Sequence, residues 1–295
     1  MEKYTVLTKK QILSAKAQGF LRDKTIDNKF NARILTRNGN ISSKEAQVIA
    51  KAANLYGNGR IVMTTRLSIE LQGVAYENIE PLKSYLKGLG IEIGGTGNKI
   101  RPIVSCKGTT CSFGLIDTYS LSEEIHQRFF MGYKNVVLPH KFKIAVGGCP
   151  NNCVKPNLND IGIIGQCVPN INYQKCKGCK ICLANKSCSN KVISVDNGKV
   201  QIDKTLCKRC GRCIGKCPFH VFDEFINGYA VYIGGRWGRD ISLGKKINKL
   251  FITKKEVFNT IEKAILYFKE NAKEKERFAQ MIERIGFAEV EKNLI

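Results

Sequence analysis

The sequence predicts an α+β chain with a short, cysteine-dense segment inserted between two of its strands. Three observations predict it. The patterned stretches of the first hundred residues run strand, helix, strand, strand, helix. Eight of the thirteen cysteines fall in two tandem runs between Cys176 and Cys217. A strand-like stretch, "YAVYIGG", follows those runs as a returning strand.

Taken in order, "NARILTRNGN" begins as a short apolar strand and ends at an Asn-Gly turn signal. In "ISSKEAQVIAKAANLYGNG", Ser42 followed by Glu45 forms a capping box, and Ala46, Ile49, Ala50 and Ala53 are expected to line one helical face before Gly57. "RIVMTTRLSIELQGV" offers two strands around Thr64-Thr65-Arg66, and "NIEPLKSYLKGLG" a helix that stops at Gly88 or Gly90. Together these make a small α+β layer of ferredoxin-like topology. Beyond the insert, "YAVYIGG" is a returning strand. From Thr253, Val257, Ile261, Ile265 and Phe268 recur at helical spacing, followed by the charged break "KENAKEKER" and a short second helix.

The cysteines sort into three sets of four. "CKGCKICLANKSC" supplies Cys176, Cys179, Cys182 and Cys188; "CKRCGRCIGKCP" supplies Cys207, Cys210, Cys213 and Cys217. The second run is C-x2-C-x2-C-x3-C-P, in which three close thiolates wrap one [4Fe-4S] cubane and the fourth serves its neighbour. By that logic Cys176, Cys179, Cys182 and Cys217 hold one cluster, and Cys207, Cys210, Cys213 and Cys188 the other. Five residues rather than three separate Cys182 from Cys188, so a local bulge is expected there. Zinc ribbons also use C-x2-C pairs, but three cysteines per run and a following proline suit zinc poorly. Cys106 and Cys111 in one loop, with Cys149 and Cys153 in another, imply a third four-cysteine site, for which zinc is again the alternative. Cys167 has no set and reads as a buried, inert thiol.

With 295 residues, 43% of them hydrophobic, the chain has enough apolar surface for one or two domains plus small insertions. Residues 1–24 lack a secretory apolar stretch and no run approaches a membrane span, so a cytoplasmic location is expected. In that reducing compartment metal binding, not disulfides, accounts for clustered cysteines. The formal charge is +23, and between Lys141 and Cys217 there are fourteen Lys/Arg against three Asp. Thiolate-bound clusters are anionic, and basic neighbours offset them. No nucleic-acid motif accompanies the charge, so nucleic acid is not an expected partner.

The pair Cys106 and Cys111, followed by "GGCPNNCVKP" with Cys149 and Cys153, resembles the sirohaem and [4Fe-4S] signature of sulfite and nitrite reductases. "GNGRIVMTTRLSIELQGV" is similar to that family's strand pair bearing Thr-Thr-Arg, and "LPHKFKIAVGGCPNNCVKP" to its Lys-x-Lys strand entering the cluster loop. "DIGIIG", "YAVYIGGRWGRD" and "ERFAQMIERIGF" follow in the family's order, and the likeness covers roughly residues 25–295. Four residues, where five are usual, separate Cys106 from Cys111.

The resemblance implies a sirohaem whose iron shares the sulfur of Cys153 with a cubane, hence sirohaem and three [4Fe-4S] clusters in all. It also implies that Arg66 holds sirohaem carboxylates, and that Arg33, Arg101, Lys141 and Lys143 bind the substrate anion. Lys141 and Lys143 alternate along a predicted strand and so share a face. His140 is a weaker proton-donor candidate. Sulfite reduction to sulfide is the implied activity. Nitrite reduction to ammonia, or electron transfer without catalysis, are the alternatives. The expected domains are a ferredoxin-like domain at residues 1–96, a sirohaem/[4Fe-4S] domain at 97–166 and 226–295, and an inserted two-cluster ferredoxin domain at 167–225. Larger relatives carry two related halves where this chain has one, so a homo-oligomer or heteromer is expected to complete the cofactor pocket. No dinucleotide fingerprint is present, so electrons are expected from a flavin subunit using NADH and from another iron-sulfur subunit.

Overall fold

The computed structural model describes residues 6–295. The reading of residues 1–24 falls partly on residues 1–5, outside the described residues. The chain forms two compact units: one takes the described chain up to Val104 with Ser122–Ile144 and Ile265–Ile285, the other takes Ser105–Leu121, Ala145–Ala264 and Gly286–Ile295.

The first unit opens with α1 (Lys9–Ala17) and β1 (Phe20–Arg22), two elements beyond the predicted set. There follow β2 (Lys29–Ile34), α2 (Ser43–Tyr56), β3 (Ile61–Met63), β4 (Ile69–Ala75) and α3 (Ile79–Lys87), in the expected order. The sheet is antiparallel in the order β1-β2-β4-β3. After α3 the chain returns to the edge of β2, where Ile93 bridges Ile34. Along β2, Phe30, Ala32 and Ile34 are fully buried while Asn31 and Arg33 take the other face, the period-2 alternation of a half-buried strand.

Ser42 and Glu45 make the expected reciprocal cap of α2. The predicted face of that helix is displaced: Ala46 and Ala50 are exposed, and Ile49, Ala52 and Ala53 are buried, with Val48 and Tyr56 packed beside them. The larger side chains Val48, Ile49 and Tyr56 set the helix phase, because they bury more apolar area than the alanines they turn outward. The helix of residues 79–87 stops at Gly88, as expected.

A second cluster in this unit is ionic. The helix α4 (Thr118–Ile125) runs into a wide π-helical stretch, His126–Met131. His126 is buried and lies 3.5 Å from Glu92, which also faces Arg37 at 3.3 Å. Hydrogen bonding from His126 and Arg37 holds the Glu92 carboxyl down from 4.5 to about 2. A carboxyl depressed on folding stabilises the native state above its ordinary value, and that stability is lost as pH falls from about 4.5 towards 2. Thermal unfolding followed by circular dichroism across that window should show the melting temperature dropping in the wild type and much less in Glu92→Gln. At pH 7 the substitution should cost about 1–2 kcal/mol, after allowing for solvent screening of a partly exposed pair.

The second unit is built on a sheet of β5 (Val104–Ser105), β6 (Ile144–Gly147), β7 (Ile161–Asn170), β10 (Glu224–Ile233) and β11 (Lys245–Lys246), in the order β11-β10-β7-β6-β5. The predicted returning strand "YAVYIGG" lies in β10, and "DIGIIG" leads into β7. The strands β7 and β10 pair antiparallel over their whole lengths, Ile161 with Ile233 through Asn170 with Glu224. Between them lie α5 (Leu183–Ser187) and the hairpin β8 (Ile193–Asp196) and β9 (Lys199–Ile202). That segment has its own small core of Ala184, Ile193, Val200, Val221 and Phe222, against which several motif cysteines pack. The C-terminal region is α6 (Lys254–Asn271), α7 (Phe278–Ile285) and α8 (Phe287–Leu294), two short helices where one was expected. Val257, Ile261, Ile265 and Phe268 are fully buried, as their spacing predicts. In the first unit the rings of Phe142, Phe268 and Phe278 meet with centroids 5.2 to 5.6 Å apart.

Candidate functional site

Two constellations stand out, one in each unit. In the first unit a cavity of about 320 Å³ is lined by Lys16, Arg33, Arg66, Arg101, Lys141 and Lys143. All five cations singled out in the sequence therefore reach one space, joined by Lys16 from the last turn of α1. Lys141 and Lys143 flank Phe142, whose ring is fully buried and whose backbone bridges Ile100, so the two lysines share the opposite side of an extended segment. His140 does not line the cavity; its Nδ1 accepts the Lys141 backbone N–H at 2.7 Å.

The cations are held differently. Arg33 on β2 pairs across the sheet with Glu70 on β4, its Nη2 2.7 Å and its Nε 3.1 Å from Oε1. Arg66, in the turn between β3 and β4, donates to the Pro102 carbonyl at 2.8 Å. Arg101 donates through Nη1 to the Gly95 carbonyl at 2.6 Å, while its buried Nε has no hydrogen-bond partner among the described residues. Burial, and then the charges of Arg33 and Arg277, bring the Arg101 guanidinium down to about 10. It stays charged at neutral pH, so the cavity concentrates positive charge that an anion would relieve.

The second unit gathers thiols. The Cys106 and Cys149 loops are tied together by the Cys106 N–H to the Val146 carbonyl at 3.1 Å, Leu115 N–H to the Gly148 carbonyl at 2.9 Å, and Gly148 N–H to Cys106 Sγ at 3.1 Å. They approach backbone to backbone: a Cβ on Gly148 would lie 2.8 Å from Gly108 Cα. Only glycine at both positions permits that approach. Burial pushes the Cys149 thiol up, and the thiols of Cys106, Cys153 and Cys111 push it further. Cys106, Cys111 and Cys153 thus all lie within electrostatic reach of Cys149, and a metal that binds thiolate would replace the protons of such a set.

The cysteines of the tandem runs line two separate cavities. A cavity of about 300 Å³ is lined by Cys176, Cys179, Cys182 and Cys217. Cys188, Cys207, Cys210 and Cys213 line another, which is water-sized at about 20 Å³. The fourth cysteine of each run therefore crosses to the other run's set. Burial, with Cys207, Cys210 and Cys167 beside it, pushes the Cys213 thiol up to about 12. Among the described residues no three His, Cys, Asp or Glu side chains converge on a single-ion site. The first set fits a cubane in number, chemistry and space. The second fits in number and chemistry, with its side chains closed on a small void.

Sequence reasoning missed three residues here. Lys16 is one lysine among many in a surface helix, and nothing in its neighbourhood marks it. Arg277 is buried and close enough to Arg101 to depress it; its only signal is its place in "ERFAQMIERIGF". Cys167 is buried, as expected, but lines the second cysteine cavity.

Comparison with known proteins bears on both constellations. Residues 96–295 match the family described as nitrite and sulphite reductase 4Fe-4S domain, and residues 24–89 the nitrite/sulfite reductase ferredoxin-like half domain. The chain is 32% identical over 247 residues to the coenzyme F420-dependent sulfite reductase of Methanocaldococcus jannaschii, covering 83% of this chain and 38% of that protein. It is 31% identical over 170 residues to one of the subunits of the anaerobic sulfite reductase of Salmonella typhimurium, covering 50% of this chain and 47% of that one. Its fold is similar to that of dissimilatory sulfite reductase I, with a TM-score of 0.71, 21% identity, and coverage of 90% of this chain and 69% of that chain. The chain spans less than half the length of these two curated relatives. No helix among the described residues is long and apolar enough to cross a membrane.

Proposed function

The chain belongs to the nitrite and sulphite reductase family, and on that premise we propose that it is the catalytic subunit of a sulfite reductase, carrying out the six-electron reduction of sulfite to sulfide with sirohaem. The observation that carries this reading is the convergence of Arg33, Arg66, Arg101, Lys141 and Lys143 on one cavity in a chain with twelve cysteines in ligand spacing. A protein that only transfers electrons has no use for such a concentration of charge. A site that binds a dianion and feeds it protons does.

Cys106, Cys111, Cys149 and Cys153 would hold a cubane and Arg66 the carboxylates of a sirohaem, and these groups, when bound, would supply the electrons for the reduction. Everything else is the work of this chain's side chains. Lys141, Lys143 and Arg101 attract sulfite and orient its oxygens by charge-assisted hydrogen bonds. The lysine ammonium groups donate protons as each oxygen leaves as water and are recharged from solvent. Arg66, the fork in the turn after β3, pairs with carboxylates of the tetrapyrrole, and the orphaned Nε of Arg101 is a further donor for an anion. The ferredoxin-type clusters of residues 167–225 feed the site. Cys176, Cys179, Cys182 and Cys217 would hold one of them, with Cys179 exposed, and Cys188, Cys207, Cys210 and Cys213 the other, with Cys213 buried.

The proposed donors are a flavin subunit using NADH and a further iron-sulfur subunit, in a cytoplasmic complex of the same kind as the anaerobic sulfite reductase. A second copy of this chain, or one of those partners, completes the cofactor pocket. Nitrite is the competing substrate, since the same cations bind it. Protein made anaerobically should show tetrapyrrole absorption in the visible and reduce sulfite with reduced methyl viologen. Lys143→Ala should lower kcat for sulfite roughly 100-fold with that absorption unchanged. Intact tetrapyrrole without turnover of sulfite would favour an electron-transfer role. Faster turnover of nitrite than of sulfite would reassign the substrate, and loss of tetrapyrrole in Lys143→Ala would remove that residue from the anion pocket.

A further inference from the structure

Five thiols, not four, surround the second ferredoxin-type site. Cys167 sits on β7, outside the tandem motifs, yet its side chain lines the same small cavity as Cys188, Cys207, Cys210 and Cys213. It is 3% exposed. Its backbone forms a parallel bridge with Cys210, fixed by the Cys167 N–H to the Arg209 carbonyl at 2.8 Å. A Cβ at position 211 would lie 2.9 Å from Cys167 Sγ, so the sulfur occupies the space that Gly211 leaves between Cys210 and Cys213. The strand is held along its whole length by β10, which makes Cys167 a rigidly presented thiol.

Cys188 is presented differently. It caps the five-residue α5 and follows the run in which two extra residues separate it from Cys182. One site is thus offered a fourth ligand by a short, irregular segment and a fifth by a continuous strand.

We propose that Cys167 is a reserve ligand of the second ferredoxin-type cluster, able to bind the iron that Cys188 holds. This rests on the iron-sulfur reading above. The exchange is balanced: the Cys188 S–Fe bond breaks and that sulfur takes a proton, while Cys167 releases its proton to solvent and forms the new S–Fe bond, with no change in oxidation state. A site with five thiols for four irons survives the loss of its weakest ligand and reassembles from within.

The full chain, made and purified anaerobically, is compared as wild type, Cys167→Ala, Cys188→Ala and the double variant, by iron and sulfide content and by electron paramagnetic resonance after dithionite reduction. Wild type and Cys167→Ala should match. Cys188→Ala should keep its iron with an altered spectrum, because one ligand has moved from helix cap to strand. The double variant should lose about four irons, one cluster. Cys188→Ser, closer in size to cysteine, should also keep its iron, which guards against a packing defect in the alanine variant. If Cys188→Ala loses as much iron as the double variant, Cys167 is not a reserve ligand. If Cys167→Ala alone loses the cluster, Cys167 is the ordinary ligand and the proposal is overturned in the other direction. Iron-free wild-type protein would sink the cluster reading itself, a result distinct from either.

Discussion

Cys149→Ser is expected to abolish sulfite turnover and, with the three cubanes proposed above, to remove about a third of the chain's iron. Cys149 is the thiol on which the other three act: its burial and the neighbouring Cys106, Cys153 and Cys111 all oppose a free thiolate. Only a bound metal makes four such sulfurs anionic together, and the resulting Fe–S bonds offset the desolvation. A serine hydroxyl ionises far less readily than a thiol and is a harder donor, so it does not replace the sulfur. Gly108 and Gly148 hold the two loops backbone to backbone, which leaves the remaining cysteines little freedom to rearrange around a three-ligand cluster. The measurement is iron per chain beside visible absorption and viologen-linked activity. Retention of full iron and tetrapyrrole in Cys149→Ser would show that these four cysteines do not form one centre. The tandem clusters should be untouched, so roughly two thirds of the iron should remain.

How much of this is legible in the sequence follows the range of the interactions involved. The cap of α2 is local: Ser42 and Glu45 exchange hydrogen bonds over three residues, and four letters contain it. The same signature at Thr8 and Gln11 marks the start of α1, but that helix has no clean apolar stripe to draw attention to it. The phase of α2 is hidden by its alanines, which fit either face; it follows the bulkier Val48, Ile49 and Tyr56. For the cation cavity, alternation puts Lys141 and Lys143 on one side, and the structure has them there. Arg33, Arg66 and Arg101 come from three separate stretches, and no period in the chain joins them. The family resemblance names them; Lys16 and the buried Arg277 lie outside the residues it singles out. That Cys188 and Cys217 each line the cavity of the other run is what the ferredoxin-type spacing leads one to expect. The position of Cys167 is not, since its place beside Cys210 is created by β7, some forty residues earlier in the chain.

Arg33→Ala should damage sulfite reduction more than Lys143→Ala, by roughly 1,000-fold in kcat/KM against 100-fold, and the reason is its partner. Arg33 is paired with a carboxylate across the β2–β4 register, Glu70 at 2.7 Å, and both side chains are mostly buried, 21% and 15% exposed. Truncating Lys143 removes one positive charge. Truncating Arg33 removes one and also uncovers the charge of Glu70 in a poorly hydrated place, where it repels an incoming dianion and is itself destabilised. A second substitution therefore acts in the opposite sense: Arg33→Ala with Glu70→Gln should recover about tenfold of the lost kcat/KM, a coupling of about 1.4 kcal/mol. Glu70→Gln alone should bind sulfite at least as tightly as the wild type, because it frees a guanidinium without removing it. The cycle is read as kcat and KM for sulfite with reduced methyl viologen, with tetrapyrrole absorption as the check that the cofactor is still held. If the double variant is no better than Arg33→Ala, the carboxylate has no influence on the anion, and Arg33 either binds sulfite unaided or serves only to fasten the two strands.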